Sequence, residues 1–303
     1  MTIFSPSRGF LFISNTKVAS STLHHLLYPV ADAVFYRPEV GKHFSYAQAR
    51  DRLHRWGGPD AASLFRFGVV REPVDWVRSW YKFRSRADMR AHGGRAMPEG
   101  TRFTAFVDAV LADDPPGYAR IREQVFVFRD RKKTLSMDFL ATLDGIREDG
   151  ARLARYPALK ALDALRDYRV NTSETAEDLA LPARTRARLE AFLAADCELY
   201  QAVRDGAYRD LPETLPARPC TLALDADDLA EDAISRMTLA ANLGRHADAR
   251  LWANRIPASF ELDPNSRSVL EDVNNRPGRG RRIMRAILRG RDPRFWRRRA
   301  PGQ

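Results

Sequence analysis

The chain has 303 residues, 44% of them hydrophobic, and a formal net charge of +11. That length and apolar share suit one globular domain with a sizeable core plus something smaller, and exclude fibrous, collagen-like or wholly disordered classes. Of 50 lysines and arginines, eleven arginines fall in residues 276–303 against one acid, Asp292, which leaves the preceding chain with 39 basic and 38 acidic residues. The body is therefore close to neutral, and nucleic acid is not the expected partner. The two cysteines, Cys197 and Cys220, have no metal-ligand or redox spacing around them, so neither a zinc site nor a disulfide framework is expected. The N-terminus lacks the charged and apolar regions of a secretory signal, and no window approaches the roughly 20 apolar residues of a membrane span, which makes the cytoplasm the expected compartment.

The first element in chain order is Gly9-Phe10-Leu11-Phe12-Ile13-Ser14, a short apolar run that reads as a buried strand. Ser20, Ser21 and Thr22 then open a helical pattern through Leu23, Leu26 and Leu27. The same order repeats at Leu64 to Val70, followed by Arg71-Glu72-Pro73 and a helix carrying Val74, Val77, Trp80 and Tyr81, with Pro73 where a first helical turn tolerates proline. Further on, Gln124 to Phe128 reads as a strand, Met137 to Tyr156 as largely helical, and Leu179 to Val203 as one helix. Asp210 to Pro219 contains three prolines and no periodicity, and reads as a linker. Beyond it, Leu229 to Leu243 and Ala247 to Asn254 read as a helical hairpin. The expected organisation is a domain over 1–210, a helical appendage over 220–262 and a basic tail over 263–303.

Two strand-to-helix units argue for an α/β fold with a parallel sheet flanked by helices, whose ligands bind at the carboxyl ends of the strands. Both polar loops fall there. In the first, Asn15 to Thr22, the backbone N–H groups and the positive end of a helix dipole suit phosphate oxygens. Lys17 adds a mobile charge and Ser20, Ser21 and Thr22 add donors, although Val18 after Lys17 is not the Walker pattern. In the second, Arg71 offers a planar fork suited to a phosphate dianion, and Ser79 follows about two turns into the helix, near the face of Glu72 and Asp75.

Together the stretches Phe12 to Thr22 and Phe67 to Tyr81 resemble the sulfotransferases that use 3′-phosphoadenosine 5′-phosphosulfate (PAPS). The similarity continues weakly through Gln124, the segment Phe139 to Leu153, Asn171-Thr172-Ser173 and the segment Leu189 to Tyr200, so it spans roughly the first two thirds of the chain. The resemblance implies a P-loop-like sheet, a 5′-phosphosulfate held by Lys17, Ala19, Ser20, Ser21 and Thr22, a 3′-phosphate held by Arg71 and Ser79, and no metal. The family often has Pro before the loop lysine and Gly after it, where this chain has Thr16 and Ala19. His43, in Gly41-Lys42-His43-Phe44-Ser45-Tyr46, resembles the catalytic histidine segment of the uronyl 2-O-sulfotransferase branch, which implies a base for the acceptor proton. His24 and His25, inside the first helix, are expected to be packing or surface residues.

The acceptor implied is a hydroxyl or amine of a carbohydrate or lipid head group. Arg281 to Arg289 can form a short basic amphipathic helix followed by Phe295 and Trp296, so residues 281–299 are a candidate for peripheral contact with the inner membrane face, beside the plain alternative of a solvated tail. An ATP-dependent kinase and a non-catalytic binding protein acting through the basic tail are the competing readings.

Overall fold

The computed structural model describes residues 2–35, 43–86, 97–167 and 179–275. The segment Asn171-Thr172-Ser173 and the basic segment 281–299 lie outside the described residues.

Five strands form one sheet: β1 (Ile3–Ser5), β2 (Phe10–Ile13), β3 (Ala33–Val34), β4 (Phe65–Val70) and β5 (Phe139–Thr142), in the order β3-β1-β2-β4-β5. The sheet is mixed. β2 pairs in parallel with β4, Phe12 opposite Phe67, and β4 in parallel with β5, Val70 opposite Thr142. β1 is antiparallel to both β2 and β3; it returns into β2 through only the tight turn Pro6–Arg8, and so short a link cannot make a parallel crossover.

The side-chain period of two divides the strands between two cores. Phe10, Phe12, Phe65, Phe67, Val69, Phe139 and Ala141 face one layer, built from α1 (Ser20–Leu27), α3 (Pro73–Arg84), α4 (Phe103–Val110), α5 (Ile146–Leu153) and α6 (Ala183–Phe192). Leu11, Ile13, Val70 and Leu140 face the other, with α2 (Tyr46–Arg55) and α7 (Ala194–Arg204). Burial on both faces explains why β2 reads as a continuous apolar run.

Three segments depart from the sequence expectation. Gln124–Phe128 is a 3-10 helix rather than a strand: its Phe128 ring occupies the place where a side chain on Gly68 of β4 would stand, 2.5 Å from an added Cβ. The stretch expected to be helical from Met137 contains β5 before α5 begins, because Phe139–Thr142 is a short buried run that periodicity cannot tell from a helix segment. Leu179 to Val203 is two helices, α6 and α7, meeting at Leu193.

The proline-rich stretch 210–219 has neither helix nor strand, yet it packs across the domain. The Pro212 carbonyl accepts from Arg155 at 2.7 Å and from the Tyr156 hydroxyl. Gly9, at φ 79°, leaves room for the backbone of Pro216 and Ala217, which an added Cβ would approach to 2.5 Å. Beyond it lie α8 (Ala226–Asn242), α9 (His246–Ala253) and α10 (Pro264–Asn275), and the first two cover the expected hairpin.

α8 is seated against edge strand β3 by buried charges. Asp232 accepts the Val34 N–H at 2.6 Å and pairs with Arg236, which also donates to the carbonyls of Tyr28 (3.2 Å) and Ala31 (2.8 Å). One turn earlier, Asp228 accepts from the Trp56 indole at 2.6 Å and pairs with Arg52. α8 thus supplies the hydrogen bond that an open strand edge lacks. Among the described residues no helix is long and apolar enough to cross a membrane.

Truncating Asp232 to Ala strands the Arg236 charge and the Val34 amide in a buried site. Breaking such a pair costs about 3–5 kcal/mol, so urea unfolding of Asp232→Ala is expected to show a loss of that order.

Candidate functional site

β2 and β4 are neighbours and parallel, so the loops leaving their carboxyl ends lie side by side. The loop after β2 has an unusual backbone: Lys17 and Ala19 both have left-handed conformations, with φ of 61° and 58°. Non-glycine residues avoid this region, so the surrounding structure holds them there. Ala19 is the N-cap of α1 and has no side chain that could cap it, so among the described residues the first-turn amides keep their donor capacity at the positive end of the dipole. Ser20 is half-buried, Ser21 exposed and Thr22 buried.

The loop after β4 is short. Glu72 caps α3 by accepting the Asp75 N–H at 2.6 Å, with Pro73 in the first turn. Glu72 is therefore engaged with its own helix, while the Arg71 guanidinium reaches across to the Lys17 carbonyl at 3.4 Å. A second link runs from the Trp76 indole of α3 to the Thr16 carbonyl at 2.9 Å. The Lys17 ammonium lies over the Phe83 ring, 4.1 Å from its centroid, and 5.9 Å from that of Trp80, as cation–π contacts with the last turns of α3.

Ser79 stands half-buried on α3 between two cationic positions, Arg78 beside it and Lys82 one turn on. Burial first, and then the charges of Arg71 and Arg78, hold the Lys82 ammonium below its ordinary pKa. Arg78 is itself tied to Asp75 at 2.5 Å and to the Leu179 carbonyl at 3.3 Å. Lys82, one turn after Ser79, thus feels both Arg71 and Arg78, with Asp75 opposing them. Lys82 was accessible to helical spacing, three residues after Ser79, but only the fold reveals that it feels Arg71.

His43 sits at the end of β2. Its Nδ1 lies 3.1 Å from the Ser14 carbonyl, and since a carbonyl only accepts, that contact puts a ring proton on Nδ1. Two residues later a capping box starts α2, with the Ser45 N–H donating to Gln48 Oε1 at 2.9 Å and the Gln48 N–H to Ser45 Oγ at 3.3 Å. Phe44 packs in between, against Phe4 and Phe35. The structure therefore brings His43 beside the strand end from which the Lys17 loop departs.

His24 and His25 are buried packing residues of α1, their Nδ1 atoms 2.6 and 2.5 Å from the carbonyls of Ser20 and Ser21. Burial lowers both pKa values, that of His25 to about 4. Neither is suited to trade protons near neutrality.

Sequence reasoning missed the polar group beneath the two loops. Gln124 Oε1 accepts from Asn15 Nδ2 at 2.9 Å and from the Arg71 N–H at 3.0 Å, while Gln124 Nε2 donates to the Arg71 carbonyl at 2.8 Å. Asn15 Oδ1 accepts the Thr16 N–H at 2.7 Å. From α7, Asp196 accepts the N–H groups of Gln124 and Val125 at 2.9 and 2.8 Å. Asn15, Gln124 and Asp196 are all 1–2% exposed. Their sequence separations, up to 109 residues between Asn15 and Gln124, leave no local signal.

Among the described residues no group of three or more histidines, cysteines and acids could hold a metal ion. The chain matches no protein-family model, no curated protein and no solved structure. The geometry of the site carries the functional argument.

Burial pushes the Asp196 carboxyl up to about 6, against the opposing pull of its two backbone donors. A carboxyl whose folded pKa exceeds its unfolded value contributes stability that is complete below the unfolded pKa and is lost as pH rises through the folded one. The unfolding free energy is thus expected to lose on the order of 2–3 kcal/mol from this group between about pH 4 and above pH 6. Urea titrations across that window, wild type beside Asp196→Asn, check it: the variant is expected to lack this component of the slope.

Proposed function

We propose that this chain is a PAPS-dependent sulfotransferase with a P-loop-like arrangement at β2 and β4, acting on a hydroxyl or amine of a carbohydrate or lipid head group. One observation carries the reading. Adjacent parallel strands deliver, at the same end of the sheet, an uncapped helix N-terminus with a left-handed lysine loop and an arginine joined to that loop at the Lys17 carbonyl. A nucleotide bearing phosphates at both 5′ and 3′ positions suits such a pair of neighbouring anion sites.

In this reading the amides of Ala19 to Thr22 and the hydroxyls of Ser20, Ser21 and Thr22 hold the 5′-phosphosulfate. Arg71 and Ser79 hold the 3′-phosphate, and Lys82 joins them. Burial first, and then Arg71 and Arg78, disfavour the Lys82 ammonium, and a dianion placed beside it would offset both. The acceptor oxygen or nitrogen attacks sulfur in line. As the new bond to sulfur forms, the bond from sulfur to the bridging phosphate oxygen breaks, and 3′-phosphoadenosine 5′-phosphate leaves. His43 Nε2 takes the acceptor proton, and Lys17, turned from its aromatic shelf on a flexible stem, stabilises charge on the departing phosphate. The basic segment 281–299 would bring the enzyme to an anionic membrane surface, placing lipid head groups within reach.

The test is thermal unfolding with 3′-phosphoadenosine 5′-phosphate in EDTA, with ATP and magnesium as the comparison. Ligand at 100 times its dissociation constant is expected to add about 2.7 kcal/mol of stability, a gain absent in Arg71→Ala. Response to ATP with magnesium alone would favour a kinase. His43→Ala is expected to keep the nucleotide response while lowering sulfuryl transfer about 10²–10⁴-fold. Removing residues 276–303 is expected to leave the nucleotide response intact, whereas a binding protein driven by its tail would lose its activity.

A further inference from the structure

Two phosphate-holding loops can act on one nucleotide only if their separation is held, and here a single buried amide touches both. Gln124 Oε1 takes a donor from each loop, Asn15 Nδ2 at 2.9 Å and the Arg71 N–H at 3.0 Å, and Gln124 Nε2 returns a bond to the Arg71 carbonyl at 2.8 Å. The paired bonds to Arg71 imitate the next rung of a sheet ladder at the point where β4 has ended, so the side-chain amide stands in for a strand. Asn15 passes the constraint on through its Oδ1, which accepts the Thr16 N–H at 2.7 Å, next to the left-handed Lys17. Gln124 cannot drift. Its own N–H and that of Val125 are taken by Asp196 of α7 at 2.9 and 2.8 Å, and Phe128 of the same 3-10 helix is lodged against Gly68 of β4.

We propose that Gln124, seated by Asp196, is a positioning residue that sets the spacing between the Lys17 loop and the Arg71 loop, so that both phosphates of one nucleotide are held together. This rests on the nucleotide reading above. Gln124 is 2% exposed, beneath the loops, and acts through Asn15 and Arg71. Its contribution is to the joint hold. Two linked contacts raise affinity far beyond either alone only while the geometry lets both engage.

That distinction is measurable with three probes: 3′-phosphoadenosine 5′-phosphate, adenosine 5′-monophosphate and adenosine 3′-monophosphate. Gln124→Glu keeps the size and the acceptor but meets the Arg71 carbonyl without a proton. Asn15→Asp keeps the acceptor for Thr16 and removes the donor to Gln124. Titration calorimetry is expected to show the bisphosphate binding wild type far more tightly than either monophosphate. In each variant that advantage should fall at least tenfold while the monophosphate affinities change by less than about twofold. An equal loss for all three probes would mean that Gln124 merely supports the fold, and would overturn the proposal. Unchanged bisphosphate affinity in both folded variants would overturn it as well. If wild type binds none of the probes, the nucleotide reading itself fails and the positioning role falls with it. Should Gln124→Glu fail to fold, Asn15→Asp carries the same comparison from the other side of the contact.

Discussion

The structure around the candidate site depends on satisfying backbone groups where a buried parallel ladder stops. β4 ends at Val70, beside β2 on one side and β5 on the other, and the N–H and C=O of Arg71 lie just past its last rung. Leaving such groups unpaired in the interior costs about 1–3 kcal/mol each. The amide of Gln124 meets both, and its oxygen has a second lone pair, which Asn15 uses. Satisfying the strand end thereby connects two loops that the chain keeps far apart. The cost falls on Asp196, whose carboxylate is held in the interior to anchor the 3-10 helix.

A second buried polar group solves a different problem at edge strand β3 of the sheet. β3 is only two residues long, and its Val34 amide would face outward without a partner. Asp232 of α8 accepts it, and Arg236 compensates the acid while closing the carbonyls of Tyr28 and Ala31 at the end of α1. The helices after residue 225 are thus integrated with the edge of the sheet, and α8 carries most of that contact through residues 230–240, all of them buried, and the Asp228, Arg52 and Trp56 cluster. Both sites follow one rule: an interior charge is tolerated where it closes several backbone groups at once.

Much of the local structure was legible. The runs at Phe10 and Phe65 announce buried strands, the hydroxyl residues at 20–22 and the proline at 73 mark helix starts, and those four signals alone bring Lys17 and Arg71 to loops of the same kind. Two of the misreadings share a cause. Gln124–Phe128 and Phe139–Thr142 are short apolar runs whose type depends on neighbours: Gly68 admits the Phe128 ring and excludes a strand there, while β4 supplies the ladder that makes 139–142 a strand. The start of α3 was visible because Pro73 marks it within a single turn. Lys17 resting on Phe83 and Trp80 was not, because nothing local sets the angle between a loop and the far end of a helix.

The amino-acid sequence by itself determined the alternation of strand, polar loop and helix, the two loops carrying Lys17 and Arg71, the placement of His43 between them, and the concentration of arginines after residue 275, because periodicity, capping and charge act over a few neighbouring residues. The tertiary structure alone decided that the sheet is mixed, that Arg71 meets the Lys17 carbonyl, that Gln124 and Asp196 underlie both loops, that Lys82 shares the field of Arg71, and that α8 closes the sheet edge. The physical reason is that a side-chain amide or carboxylate can pair with any backbone group in reach, and which group comes into reach is set by how two cores pack on either face of one sheet rather than by any pattern along the chain.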